Sequence, residues 1–329
     1  MLKRIRIMEK TVINLYNECL GAKSIIITGH IKPDGDCIGS CLAACLYLKK
    51  RLPESDIKVV LDKPADCFDY VPGLDFIDST FSGEKCDILI VIDTNIERIG
   101  SASKFASNTG KIINIDHHIS NADGGGDVNY IVPEASSASE LVYNLIEEEY
   151  LDDDIAALLY MGIAHDTGVF RYTNTNSDTM LIASKLMRYN FDHNKILEET
   201  FYEKSYLQYK ALSYVLMHSK LFLGGNVIAS AIDLSTMKEL GVTNNDFDGV
   251  VSTLRATKGV ECSIFMYQIN SETYKISLRS SRIVDVSRVA SEFGGGGHVR
   301  AAGLYLKGNK EEIIDNLISS INKDIKWTE

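Results

Sequence analysis

The sequence contains no apolar stretch long enough to cross a membrane as a helix. None of its 329 residues fall in a run that approaches the roughly 18 to 20 apolar residues a spanning helix needs. The N-terminus, MLKRIRIMEK, is basic, but the apolar core of a signal peptide does not follow it. We therefore expect a cytoplasmic protein with no membrane partner.

The sequence also lacks a run of lysines and arginines. Its formal net charge is −11, whereas a protein that grips long nucleic acid usually carries a basic stripe that makes many phosphate contacts. We therefore exclude long nucleic acid as a partner. An anionic substrate would be short and held by a few local cations or metals, although the acidity is also that of an ordinary solvated surface.

Cysteines are too few and too irregular for a disulfide framework. The seven are odd in number, and Cys37, Cys41 and Cys45 recur every four residues along a predicted helix face. A zinc cluster there is one interpretation, but buried small hydrophobic residues are favoured. With 45% apolar and 24% charged residues, the composition is that of an ordinary globular enzyme, and the length suggests two domains.

The most informative stretch is TGHIKPDGDCIGS, at positions 28–40. It follows a β-branched apolar run at positions 24–27 and brings His30, Asp34 and Asp36 within seven positions. Such a run ending in a glycine-rich polar loop predicts a buried strand that ends in a cleft. Three ionisable side chains so close together would repel one another unless a cation neutralised them. The stretch therefore predicts half of a metal site.

Strands and helices alternate through the first half of the chain. Strands are predicted at 57–61, 87–92 and 111–115, with helices at 36–51 and 152–164. This alternation favours an open parallel α/β sheet, in which ligands bind outside the carboxyl ends of the strands. Three predicted strands lead into polar residues at these ends, namely His30, Asp93 and the run Asp116-His117-His118.

A different pattern begins near residue 223. Strands are predicted near 227–232, 261–268 and 274–278, with helices near 247–257 and 285–292. We predict an N-terminal catalytic domain at 1–190, a helical linker at 191–222 and a smaller α/β domain with a mixed sheet at 223–329. The active site is expected in the cleft between the two domains.

The candidate ligands combine carboxylates with imidazoles and include no thiolate. This donor set suits Mn²⁺, and also Mg²⁺, Fe²⁺ or Co²⁺, and it argues against structural zinc. There are enough ligands for two ions that share a carboxylate, an arrangement that can activate a water in phosphoryl displacement. A lone aspartate at a strand end is usually a helix cap, but this many in one half of the chain favour a metal site.

A glycine-rich loop near the C-terminus has two interpretations. The run Gly294–His298 exposes backbone N–H groups that can bind phosphate oxygens, or it is a plain flexible turn. Arg279, at the end of a nearby strand, can clamp a phosphate bidentately or form a surface ion pair.

Together these residues resemble the DHH family of phosphoesterases, and the resemblance covers nearly the whole chain. It rests on the following motifs: His-x-x-x-Asp-x-Asp at 30–36, Ile92-Asp93-Thr94, Asp116-His117-His118, Asp166-Thr167-Gly168, Arg279-Ser280 and Gly-Gly-Gly-Gly-His at 294–298. The length and the absence of extra modules look most like the nanoRNase/pAp-phosphatase branch. Its members degrade very short oligoribonucleotides and dephosphorylate 3′-phosphoadenosine 5′-phosphate (pAp).

The resemblance implies a role for each matching position. Two Mn²⁺ ions would be bound, the first by His30, Asp34 and Asp93, and the second by Asp36, Asp93, His117 and Asp166. Asp116 would orient His117, and His118 would stabilise charge on the phosphate or protonate the leaving group. Nucleotide or phosphate would be held by Arg279, Ser280, Gly296, Gly297 and His298.

Other functions remain open at this point. Within the family, a phosphodiesterase for cyclic di-AMP or pApA is the nearest alternative; a pyrophosphatase and a RecJ-type exonuclease fit the sequence less well. A catalytically silent nucleotide sensor would lack a ligand position, and none is missing. A hydrolase of amides has no motif in its favour. The oligomeric state is not determined, and a homodimer is compatible with the chain.

Overall fold

A computed structural model describes residues 14–83 and 85–324 and divides the chain into two compact units. The first unit extends to Glu203 and the second begins at Lys204. This division lies inside the range 191–222 that we predicted as a helical linker, so its residues are shared between the units. The N-terminal basic segment and residues 325–329 lie outside the described residues.

The first unit is built on a five-stranded parallel sheet. Its strands are β1 (Ser24–Thr28), β2 (Asp56–Val60), β3 (Cys86–Ile92), β4 (Thr109–Asp116) and β5 (Val128–Ile131), in the order β2-β1-β3-β4-β5. All four strand pairings are parallel. The carboxyl ends of β1, β3 and β4 therefore lie side by side at one edge of the sheet, which confirms the open parallel α/β sheet predicted from the sequence.

Helices cover the sheet, as expected for parallel strands that are apolar on both faces. They are α1 (Leu15–Cys19), α2 (Gly35–Arg51), α3 (Ser103–Ala106), α4 (Ala138–Leu145), α5 (Asp153–Asp166), α6 (Ser177–Leu186) and α7 (His193–Leu197), followed by a π-helical turn at Glu198–Tyr202. The cysteines predicted to be core residues, Cys37, Cys41 and Cys45, are fully buried along α2.

Two glycines allow α2, α4 and α5 to approach closely behind the strand ends. A Cβ atom on Gly39 would lie 2.5 Å from the carbonyl oxygen of Leu158, and one on Gly162 would collide with the hydroxyl of Ser139. A Cβ on Gly162 would also lie 2.8 Å from a carboxylate oxygen of Asp36. The close packing of these helices thus fixes the position of Asp36.

The second unit contains a six-stranded mixed sheet. Its strands are β6 (Lys220–Phe222), β7 (Val227–Ile232), β8 (Cys262–Gln268), β9 (Thr273–Ser280), β10 (Gly296–His298) and β11 (Ala301–Lys307), in the order β10-β11-β9-β8-β7-β6. Only β7 and β8 pair in parallel. The helices are α8 (Tyr206–Met217), α9 (Leu234–Leu240), α10 (Val250–Arg255), α11 (Val286–Glu292) and α12 (Lys310–Asp324). The mixed sheet agrees with the prediction.

Within the described residues, no helix has the length and apolar character that crossing a membrane requires.

Candidate metal centre

Six predicted metal ligands meet at the carboxyl edge of the parallel sheet. His30, Asp93 and His117 follow β1, β3 and β4 directly or after a single residue, Asp34 and Asp36 lie at the start of α2, and Asp166 ends α5. The sequence therefore brings ligands from three adjacent strands and two helices to one place.

Asp93 lies between two histidines. Its Oδ2 atom is 3.4 Å from Nε2 of His30, and its Oδ1 atom is 3.4 Å from Nε2 of His117. In an octahedral shell with ligands at about 2.1 Å, neighbouring donor atoms lie roughly 3 Å apart. The two oxygens of one carboxylate thus face two different imidazoles at distances compatible with neighbouring metal ligands.

The backbone of Asp93 is held in an uncommon conformation. Its φ angle is 62°, in the left-handed region, and its N–H donates to the carbonyl of Ile115 at 2.9 Å. Aspartate tolerates this region better than most residues other than glycine, and such backbone strain clusters at functional sites. The bond to β4 directs the Asp93 side chain to the point where β1, β3 and β4 end.

The ring of His30 is oriented by the backbone carbonyl of the next residue. Its Nδ1 atom lies 2.9 Å from the carbonyl oxygen of Ile31, which makes Nδ1–H the donor and leaves Nε2 as the ring atom that can face a metal ion. Nε2 then faces Asp93 and, at 3.8 Å, Oδ1 of Asp34. The same Oδ1 caps α2 by accepting from the N–H groups of Asp36 and Cys37.

The Nε2 atom of His117 is buried and has no hydrogen-bond partner among the described residues. Besides Asp93, it faces Oδ2 of Asp166 at 3.4 Å and Oδ2 of Asp36 at 4.0 Å. Leaving a buried polar atom unpaired costs roughly 1–3 kcal/mol. Three carboxylates around an unpaired imidazole nitrogen are the donors expected of a divalent cation site, so the residues present fit a metal ion.

The side chain of Asp36, which belongs to α2, is completely buried against the first residues of α4. Its Oδ2 accepts from the N–H of Ala138 at 2.6 Å and its Oδ1 from that of Ser139 at 2.9 Å. Burial, followed by the charges of Asp93 and Asp166, raises the pKa of Asp36 well above its usual range. The N-terminus of α4 offsets only part of the cost of burying the Asp36 carboxylate, and a cation would offset the rest.

Without a cation, protons compensate the charges of the cluster. Burial alone would lower the pKa of both histidines, but Asp34 and Asp93 raise that of His30 to about 12, and Asp93, Asp36 and Asp166 raise that of His117 to about 10. Burial, the largest cause, raises the pKa of Asp166 to about 6 despite the nearby His117. A metal ion that enters the site must therefore displace protons.

Asp116 has a different partner from the one expected. We expected its carboxylate to orient His117, but its Oδ1 atom accepts from Nδ1 of His118 at 2.7 Å and from the backbone N–H groups of both histidines. The hydrogen bond that His118 donates to Asp116 raises the pKa of the His118 ring against the effect of burial. The His118 side chain is 41% exposed, so its ring is accessible beside the predicted ligands.

Two asparagines that the sequence reasoning missed hold this region together. Asn121 donates to Oδ2 of Asp116 at 2.8 Å and to Oδ1 of Asn114 at 2.9 Å, while Asn114 donates to the carbonyl of Thr94 at 2.8 Å. Both amides are buried. An asparagine that interrupts the isoleucine run at 112–115 was the signal for this role, because a buried amide needs partners of its own.

In the second unit, the predicted phosphate-binding residues lie at one end of the sheet. Ala301 of β11 pairs with Arg279 on one side and with His298 on the other, which places these two residues opposite each other on the two strands that flank β11. Gly297 has a φ of 149°, and a Cβ atom there would lie 2.5 Å from the carbonyl oxygen of Ala301, so only glycine fits. At Gly296, by contrast, a Cβ would meet no atom within 4 Å.

Ser280 differs from the expectation of a direct ligand contact. Its side chain is buried and its hydroxyl donates to the carbonyl of Val284 at 2.7 Å. The same loop is held by buried Glu261, which accepts from the N–H groups of Ile283 and Val284. Ser280 therefore shapes the loop that follows Arg279.

Comparisons with known proteins match both units. The model of the DHH family, N-terminal domain, covers residues 24–163, and that of the DHHA1 domain covers residues 224–326. The probable bifunctional oligoribonuclease and PAP phosphatase NrnA of Streptococcus mutans is 32% identical, covering 89% of this chain and 94% of that protein. The bifunctional oligoribonuclease and PAP phosphatase NrnA of Bacillus subtilis is 30% identical, with 86% and 89% covered.

Among solved structures, an exopolyphosphatase-related protein from Bacteroides fragilis has a TM-score of 0.82 at 27% identity, with 94% of each chain covered. The family resemblance predicted from the sequence is thereby confirmed. The chain belongs to the DHH family of phosphoesterases and carries its DHH and DHHA1 domains in that order.

Proposed function

We propose that this chain is a Mn²⁺-dependent phosphoesterase that hydrolyses very short oligoribonucleotides to mononucleotides and also dephosphorylates pAp. The observation that carries the proposal is the Asp93 carboxylate, whose two oxygens face His30 and His117 at equal distances of 3.4 Å. The names of the relatives, which combine oligoribonuclease and PAP phosphatase activity, support the choice of substrates.

The ligands divide into two sets that share Asp93. The first set is His30, Asp34 and Asp93, and the second is Asp36, Asp93, His117 and Asp166. Oxygen donors combined with imidazole suit Mn²⁺, with Mg²⁺, Co²⁺ or Fe²⁺ as alternatives. When bound, two such ions activate a water and stabilise the attacking and leaving oxygens of a phosphoryl displacement.

His118 acts on the phosphate. Asp116 accepts a hydrogen bond from Nδ1 and raises the pKa of the ring, and in the protonated ring Nε2–H can donate to a phosphate oxygen or to the leaving oxygen. Asp116 and Asn121 keep the ring in that orientation. The role of Asp116 is therefore to position His118.

The second unit contains the residues that we assign to nucleotide or phosphate binding. Arg279 supplies a guanidinium that matches a phosphate, and the backbone of Gly296 and Gly297, with the side chain of His298, supplies further donors. Ser280 contributes by fixing the loop rather than by contact. A few such groups suit a short nucleotide and not a long nucleic acid, which agrees with the net charge of −11.

We place the enzyme in the cytoplasm. Cys19, Cys37, Cys41, Cys45, Cys86 and Cys262 are buried thiols that form no disulfide, and unoxidised cysteines are typical of a reducing compartment.

A panel of substrates tests the proposal. Purified protein with Mn²⁺ is offered RNAs of two to five nucleotides, pAp, pApA, cyclic di-AMP and pyrophosphate. Release of mononucleotides from the short RNAs, together with turnover of pAp, is expected. A preference for cyclic di-AMP would assign the chain to a signalling phosphodiesterase, and a protein that binds metal but hydrolyses nothing would be a nucleotide sensor.

A further inference from the structure

A cysteine lies beside the proposed first ion site. The Sγ atom of Cys37, a nitrogen of His30 and a carboxylate oxygen of Asp93 all lie within 4.8 Å of one another. Cys37 directly follows Asp36 in the first turn of α2 and is completely buried. The thiol is therefore enclosed together with two of the proposed ligands.

The packing fixes the position of this sulfur. A Cβ atom on Gly29 would lie 2.2 Å from Sγ of Cys37 and 3.0 Å from the carbonyl oxygen of Ile92. The sulfur thus fills the space between the ends of β1 and β3 that a side chain at position 29 would occupy. Cys41, one turn further along α2, lies farther away, with its Sγ 3.6 Å from the same point.

We propose that Sγ of Cys37 is a fourth donor to the first ion, in addition to His30, Asp34 and Asp93, and that it gives this site affinity for thiophilic divalent ions. Nitrogen, oxygen and sulfur donors together suit Zn²⁺, Co²⁺ and Cd²⁺, whereas nitrogen and oxygen alone suit Mn²⁺ and Mg²⁺. Binding replaces the S–H bond by a sulfur–metal bond and releases one proton to solvent, with no change of oxidation state. The inference rests on the ligands assigned under the proposed function.

Optical spectroscopy of the Co²⁺-loaded protein tests this inference, because a thiolate bound to Co²⁺ absorbs in the near ultraviolet by sulfur-to-metal charge transfer. We expect this band in the wild type and in Cys41→Ala, the matched control for a buried thiol on the same helix. It should be absent in Cys37→Ser and Cys37→Ala, and Cys37→Ser should bind Cd²⁺ at least about tenfold more weakly than the wild type.

The test separates two kinds of failure. If the wild type binds Co²⁺ in the dialysed protein and hydrolyses its substrates with Mn²⁺, but shows no charge-transfer band, the sulfur is not a ligand and this inference alone is overturned. A band that persists in Cys37→Ser would also overturn it. If the wild type binds neither Co²⁺ nor Mn²⁺, the proposed metal centre itself is wrong.

Discussion

The Oδ1 atom of Asp116 accepts a hydrogen bond from Nδ1 of His118 at 2.7 Å, and both residues lie directly beside the proposed metal ligand His117. Because Asp116 raises the pKa of His118, the ring keeps its proton to higher pH than an isolated histidine. The pair thus provides an accessible hydrogen-bonding group that is cationic below this raised pKa.

The His118→Gln substitution removes the proton donor and leaves the proposed ligands in place. We expect kcat to fall by roughly 10² to 10⁴, the usual contribution of general acid–base catalysis. Mn²⁺ content should stay at the wild-type value, as measured by metal analysis of dialysed protein. Unchanged kcat would exclude His118 from the reaction.

The Asp116→Asn substitution changes the pH profile. The pKa of His118 is raised by Asp116, so the protonated ring is present below that raised pKa and is lost as the pH rises through it. Without the carboxylate the pKa falls, and the alkaline limb of kcat should move to lower pH. His118→Gln is the control, because its kcat should show no alkaline decrease of this kind. If the alkaline decrease in Asp116→Asn occurs at the same pH as in the wild type, the assignment is contradicted.

Metal uptake should release protons. His30 and His117 have pKa values raised to about 12 and about 10, so both rings hold protons at neutral pH in the absence of a cation. Since Mn²⁺ binds only the deprotonated ligands, its apparent affinity should rise with pH. Isothermal titration calorimetry in buffers of different ionisation enthalpy measures the protons released per ion. A result of zero would show that the cluster is not the binding site.

The Asp93→Ala substitution tests the shared carboxylate. Removal of one ligand that serves both ions should abolish turnover and the binding of both ions together. Asp153→Ala, at the exposed start of α5 and not among the proposed ligands, is the control for loss of a negative charge. An active Asp93→Ala protein that still binds two ions would disprove the bridging role.

The two glycines of β10 should differ in their tolerance of alanine. Gly297→Ala places a methyl group against the carbonyl of Ala301 at a φ that alanine rarely adopts, and should lower the free energy of unfolding of the second unit by about 1–3 kcal/mol. Gly296→Ala meets open space and should change this free energy by less than about 0.5 kcal/mol. Urea unfolding of both variants checks the contrast; equal effects would contradict it.

The sequence predicted β1 to β4 and the polar residues that follow β1, β3 and β4 because both signals are local, whereas the short edge strand β5 was not predicted. An apolar run followed by His30 or Asp93 is visible within ten residues, and the parallel order brings such ends together. The partner of Asp116 was not predictable, since His117 and His118 are both adjacent and only the direction of each side chain decides between them. The resemblance, not the residue pattern, supplied the division of ligands between two ions.

Other features escaped prediction for similar physical reasons. Cys37, Cys41 and Cys45 recur every four residues, and this spacing indicated core packing for all three. It gave no sign that Cys37 lies close to His30. The division between the units, at Glu203, falls in a stretch where one short helix follows another, so no change of pattern marks it. The role of Ser280 was not predictable because its hydroxyl donates to the carbonyl of Val284, a contact that the family motif does not specify.

The most direct measurement is anomalous diffraction at the manganese absorption edge from crystals soaked in Mn²⁺. We predict two peaks, about 3.5 to 4 Å apart as in other two-metal sites, with Asp93 bound to both, His30 to one and His117 to the other. A single peak, or two peaks that do not share Asp93, would contradict the two-metal centre on which the proposed function rests.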